Sequence, residues 1–239
     1  MNYDKINQYL EPLLRASSPH EKQWLNKLFK DPTSSEIYNA LDNELFIRNS
    51  FSTGPILITS AMRGEGRTTI AMLLAVFSSA FDPSKKVLLV DADVDNGNLA
   101  TTFGLKEASK GLNEFFNGEA SVSECIYQTA LPNLCLTPRS GNSEGAIRLS
   151  PKAFEVFIGE VRDKFDLVVV DSPAGGPNKA ILSMANIIKN MFVVIKYGGP
   201  AREQVATLLS ELNRVEAHVL GCILNQREFV VPRLLYGSR

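Results

Sequence analysis

The sequence predicts an α/β fold: a doubly wound, mostly parallel sheet with helices on both faces, preceded by an α-helical N-terminal extension. Three observations predict it. Short β-branched runs alternate with helical stretches from Pro55 onward. Each run is almost continuously apolar, as expected of strands covered on both faces. The segments between runs are long enough for the right-handed crossovers that parallel strands need. Residues 1–50 form the helical extension and residues 51–239 the α/β domain.

The extension opens on an amphipathic helix. Ile6, Tyr9, Leu10, Leu13 and Leu14 share one face at i, i+3, i+4, i+7 and i+8. A second helix starts at Ser18-Pro19: Ser18 can cap it, Pro19 suits the first helical position, and Glu21 completes a capping box. Trp24, Leu25, Leu28 and Phe29 form its apolar face, and Asp31-Pro32 ends it. Trp24 and Phe29 either pack on the sheet or dock a partner, and packing is the expectation. A third helix is expected from about Ser35 to Arg48, with Ile37, Leu41, Leu45 and Phe46 inward. The strands follow as PILITS (55–60), KVLLVD (86–91), LVVVD (167–171), MFVVIK (191–196) and VLGCILN (219–225). Thr137–Ser150, rich in Gly, Ser and Asn, reads as a long surface loop.

A chain of 239 residues fits one α/β domain plus such an extension, and 44% hydrophobic residues suffice for a sizeable core. A net charge of -1 supplies no basic field for nucleic acid. No apolar run approaches the ~20 residues that span a bilayer. The opening MNYDKINQYL has no apolar signal-peptide core, so a cytoplasmic location is expected. Cys125, Cys135 and Cys222 fit no zinc spacing and read as reduced packing residues.

The sharpest motif is AMRGEGRT (61–68), between a strong strand and a helix that starts near Arg67. Strand, glycine-containing turn and helix are the context of a phosphate-binding P-loop. Gly64 and Gly66 let backbone N–H groups turn toward phosphate, and the helix N-terminus adds positive potential. Thr68 stands where a hydroxyl ligates Mg²⁺, and Thr69 is the next contact. Two positions depart from G-x-x-x-x-G-K-[ST]: Ala61 replaces the first glycine and Arg67 the lysine. Arginine keeps the charge but is planar and longer. Asp91, Asp93 and Asp171 end two further strands. Ligands of open α/β sheets bind at the C-terminal strand ends, which puts these carboxylates beside the loop, where they suit Mg²⁺.

Together ITSAMRGEGRTT (58–69), VLLVDADVDNGNL (87–99), GLNEFFNGEASVSECI (111–126), FDLVVVDSP (165–173) and VLGCILN (219–225) resemble the bacterial tyrosine kinases of capsule and exopolysaccharide synthesis, P-loop ATPases related to the MinD and ParA proteins. The resemblance implies ATP and Mg²⁺ as cofactors. It places Arg63, Gly64, Glu65, Gly66, Arg67, Thr68 and Thr69 around the phosphates and Asn225 near the adenine. Thr68, Asp91 and Asp171 hold the metal on this reading. Arg67 and Asp93 are the candidate catalytic pair, Asp93 as base or metal-positioning carboxylate. The implied partner is a membrane polysaccharide co-polymerase on a separate chain, which would hold the protein at the periphery of the inner membrane.

Several positions depart from the family. Arg63 stands in place of proline and Asp95 in place of a basic residue. The ring-assembly pattern E-x-x-R-x-x-R reads Glu36-x-x-Asn39-x-x-Asp42, so a homo-oligomer, if formed, lacks that charge complementarity. The C-terminal tyrosine cluster is reduced to Tyr236. The signature lysine of MinD and ParA aligns with Met62 and is absent. The departures together point to an ATP-binding protein that regulates exopolysaccharide biosynthesis and export with reduced or altered kinase activity. The competing readings are a fully active kinase with an unusual loop, a catalytically inactive nucleotide-sensing scaffold of the polysaccharide machinery, and a MinD/ParA-type positioning ATPase. For the last, Pro232 interrupts any membrane helix in the tail FVVPRLLYGSR (229–239).

Overall fold

The computed structural model describes residues 3–17, 19–48, 54–93, 99–105, 108–140, 149–173, 178–199 and 202–226. Ser18, Asp95, most of the glycine-rich stretch after Thr137, and the tail with Pro232 and Tyr236 lie outside them.

Helices α1 (Tyr3–Ala16) and α2 (Pro19–Lys30) stand where the apolar spacing puts them. Helix α3 (Pro32–Asp42) starts earlier than the spacing suggests. The Asp31-Pro32 pair that ends α2 also begins α3: the Asp31 carboxylate accepts from Thr33 N at 2.9 Å, and Pro32 takes the first turn. A π-helical turn, Asn43–Arg48, continues it.

The sheet has seven strands in the order β3-β4-β2-β5-β1-β6-β7. They are β1 (Gly54–Ser60), β2 (Val87–Asp91), β3 (Tyr127–Gln128), β4 (Leu134–Thr137), β5 (Leu167–Asp171), β6 (Asn190–Lys196) and β7 (His218–Asn225). All pairings are parallel except β3 with β4. Five strands match the sequence expectation, and β3 and β4 are additions to it. Between them run α4 (Arg67–Phe81), α5 (Leu99–Thr102), α6 (Leu112–Phe116), α7 (Pro151–Arg162), α8 (Lys179–Ile188) and α9 (Arg202–Arg214).

Strand alternation splits the core into two layers. Ile56, Ile58, Val87 and Leu89 face α4 and the N-terminal helices. Leu57, Leu88, Val90, Val168 and Val170 face α7, α8 and α9. The first layer closes on aromatics: Phe29 of α2 meets Phe77 of α4 edge-on at 5.5 Å, and Tyr38 lies 5.4 Å from Phe77. Burying a Phe contributes about 2–3 kcal/mol, so Phe29 fixes α2 to α4. Trp24 departs from the packing expectation: it remains 38% exposed, on the outer side of α2. Among the cysteines, Cys125 packs fully, Cys135 partly, and Cys222 is exposed on β7, the last strand of the sheet among the described residues.

Candidate phosphate-binding site

The loop between β1 and α4 turns on two left-handed glycines, Gly64 at φ 77° and Gly66 at φ 89°. That region strains any side chain. Gly66 is constrained twice, because a Cβ there would lie 2.1 Å from Asn225 Nδ2. Helix α4 has no side-chain cap. The N–H groups of Gly64, Glu65, Gly66, Arg67 and Thr68 have no acceptor among the described residues. Consecutive open N–H groups at a helix start form an anion nest.

Asp91 and Asp171 lie side by side in the β2–β5 register, each 1% exposed. Asp91 Oδ2 accepts from Leu99 N at 3.1 Å, and Asp171 Oδ2 accepts from the Thr68 hydroxyl at 2.7 Å. The second oxygen of each carboxylate is buried with no partner among the described residues. Burial pushes the Asp91 carboxyl up to about 6, and the nearby Asp93 charge adds to the rise. Burial also pushes Asp171 up to about 7; the Asp91 charge adds, and the Arg67 guanidinium opposes.

Arg67 and Asp93 are closed on each other. Arg67 Nη2 donates to Asp93 Oδ2 at 3.0 Å, and both side chains are 7% exposed. Arg67 Nη1 is buried without an acceptor among the described residues. The candidate base is thus neutralised by the residue that replaces the loop lysine.

The remaining candidates divide. Thr69 is half-buried in the first turn of α4, and Arg63 is exposed on the loop. The Glu65 side chain is engaged within the protein. It is 2% exposed and accepts from Met62 N at 2.6 Å and Lys196 N at 3.0 Å, bracing the loop against the end of β6. Asn225 also turns to the loop, its Nδ2 donating to Glu65 O at 2.9 Å. Sequence reasoning missed Gln226, which donates to Gly64 O at 3.3 Å. It also missed Arg139, just past β4, whose charge opposes the rise of the Asp91 carboxyl more weakly than the Leu99 N–H does. Its signal was the strand LCLT two residues before it.

The residues fit Mg²⁺ and a polyphosphate. Two open carboxylate oxygens and a hydroxyl are hard donors of the kind that Mg²⁺ takes, with phosphate oxygens completing its shell. The open Nη1 of Arg67 and the nest offer donors to an anion.

The AAA domain family matches residues 55–223. The chain is 29% identical over 203 residues to a tyrosine-protein kinase, CpsD, of Streptococcus agalactiae serotype III, covering 84% of this chain and 86% of that protein. Its fold is similar to the kinase domain of the Escherichia coli tyrosine kinase ETK, with TM-score 0.70 at 21% identity over 82% of this chain and 78% of that one. It is also similar to the septum site-determining protein MinD of Pyrococcus horikoshii, complexed with Mg-ADP: TM-score 0.62 at 26% identity, covering 72% and 70% of the two chains.

Proposed function

The chain belongs to the AAA domain family of P-loop ATPases, in the branch of the bacterial tyrosine kinases, and from that premise we propose that it binds ATP with Mg²⁺ at the end of β1 and serves polysaccharide export as a nucleotide-sensing partner with reduced kinase activity. The observation that carries this is a set of three buried atoms in one site that have no partner among the described residues: Asp91 Oδ1, Asp171 Oδ1 and Arg67 Nη1. Buried polar atoms are rarely left unpaired, and these match the charges of a metal and a phosphate.

On this reading Thr68, Asp91 and Asp171 hold the metal, which neutralises phosphate charge when bound. The nest of residues 64–68 and the Arg67 guanidinium hold the phosphates, and the helix start of α4 adds its dipole. Arg67 Nη2 donates to Asp93 Oδ2, so a hydroxyl brought to that oxygen competes with the guanidinium. Reduced transfer follows from that occupied base. Cytoplasmic placement and a membrane co-polymerase on a separate chain belong to the same proposal. Among the described residues, no helix is long and apolar enough to cross a membrane.

The test is calorimetric titration of purified protein with ADP and ATP, with and without Mg²⁺, then turnover and phosphotyrosine detection on the same sample. Mg²⁺-enhanced binding with negligible turnover is expected. Absence of binding sinks the site, and robust tyrosine autophosphorylation sinks the reduced activity. A positioning ATPase is the second reading, favoured by the likeness to MinD. ATP-dependent pelleting with liposomes would support it.

A further inference from the structure

Two carbonyls of the phosphate loop are held from the β7 side. Asn225 Nδ2 donates to Glu65 O at 2.9 Å, and Gln226 Nε2 donates to Gly64 O at 3.3 Å. In a trans peptide, the C=O of one residue and the N–H of the next point in opposite directions. Drawing the Gly64 and Glu65 carbonyls toward β7 therefore turns the N–H groups of Glu65 and Gly66 away from it. These belong to the nest that has no acceptor among the described residues.

The clip is itself anchored. Asn225 O accepts from Tyr197 N at 2.8 Å, and the neighbouring Lys196 N donates to the buried Glu65 carboxylate at 3.0 Å. The end of β6, the loop and the end of β7 thus form one hydrogen-bonded circuit. The absence of a Cβ at Gly66 gives the Asn225 amide its place.

We propose that Asn225, seconded by Gln226, is a positioning residue of the phosphate loop: it sets the peptide planes that present N–H groups to a polyphosphate, whatever base that polyphosphate carries. The proposal rests on the nucleotide reading of the site. It assigns Asn225 to the phosphate end, where the family resemblance puts it at the base.

A probe without a base separates the two roles. Wild-type protein and Asn225→Leu are titrated with ADP, IDP and inorganic tripolyphosphate, all with Mg²⁺. Leucine is close in size and donates nothing. Losing the bond should weaken ADP and tripolyphosphate by the same factor, about tenfold, and leave the ratio of ADP to IDP affinity unchanged. Unchanged tripolyphosphate binding beside weakened ADP, or a shifted ADP to IDP ratio, overturns the proposal. Should Asn225→Leu not fold, the exposed Gln226→Leu carries the test, with equal losses of about threefold expected for both probes and unequal losses overturning it. Wild-type protein that binds neither ADP nor tripolyphosphate overturns the nucleotide reading itself, a result distinct from unequal losses.

Discussion

The two halves of the site differ in what they leave open. On the metal side, Asp91 and Asp171 face each other's charge, with one oxygen apiece unpartnered among the described residues. On the transfer side, Arg67 and Asp93 form a buried pair that is neutral in itself. Two like charges without a cation favour the entry of one. A matched pair resists disturbance, because separating it uncovers a buried charge. On the proposed reading, the metal side is open to a ligand in the empty protein, while the transfer side is closed on itself.

Asp93→Asn tests the shut half and should have the largest effect. Leaving the Arg67 guanidinium without its counter-charge should cost the empty protein about 3 to 5 kcal/mol, read as a lowered Tm. Added ADP should recover more of that loss than it stabilises the wild type.

The open half predicts a pH dependence. Asp91 and Asp171 titrate higher in the folded protein than their ordinary value of 3.8, so the folded state binds protons more tightly than the unfolded one. Their contribution favours folding at low pH and is lost as pH rises from about 4 to about 7, by on the order of 3 kcal/mol. Denaturant unfolding of the empty protein across that window checks the sign, and Mg-ADP should flatten the slope.

Asp171→Asn should then act opposite to Asp93→Asn. Removing one of two crowded carboxylates should raise the stability of the empty protein at neutral pH by about 2 kcal/mol and abolish the gain in nucleotide affinity from Mg²⁺. If both substitutions destabilise equally, the contrast between the halves fails. Arg67→Lys should do least: nucleotide affinity changes by about fivefold or less, with no gain in tyrosine phosphorylation by radiolabel transfer.

Legibility in the sequence followed burial and range. The strands β1, β2, β5, β6 and β7 were readable because apolar runs such as LVVVD are uninterrupted. The edge pair was not: β3 is only Tyr127–Gln128, and β4 is four residues between Pro132 and Pro138. Missing β4 hid Arg139. Gly64, Gly66, Thr68, Asp91 and Asp171 could be found because backbone turns and strand ends are local features. Arg67 and Asp93 could be named as candidates in the same way, but not their ion pair, since only the packed sheet sets the two side chains in contact. A glutamate in a glycine-rich loop reads as facing solvent or ligand. Glu65 is instead buried on two backbone N–H donors, which make its charge tolerable.

The strand order also governs when the site can exist. β1 carries the loop, yet its partners are β5, which starts at Leu167, and β6, which starts at Asn190. On a chain leaving the ribosome N-terminus first, β1 and α4 wait with apolar faces uncovered until those later strands emerge. Asp171 arrives with β5 and Asn225 only with β7, so a nascent chain displays the loop motif long before the proposed site is assembled. On the proposed reading, nucleotide can therefore act as a folding ligand only once β7 has been made. A product stalled short of β5 would carry the motif, an uncovered apolar face and no site, which marks it for chaperones.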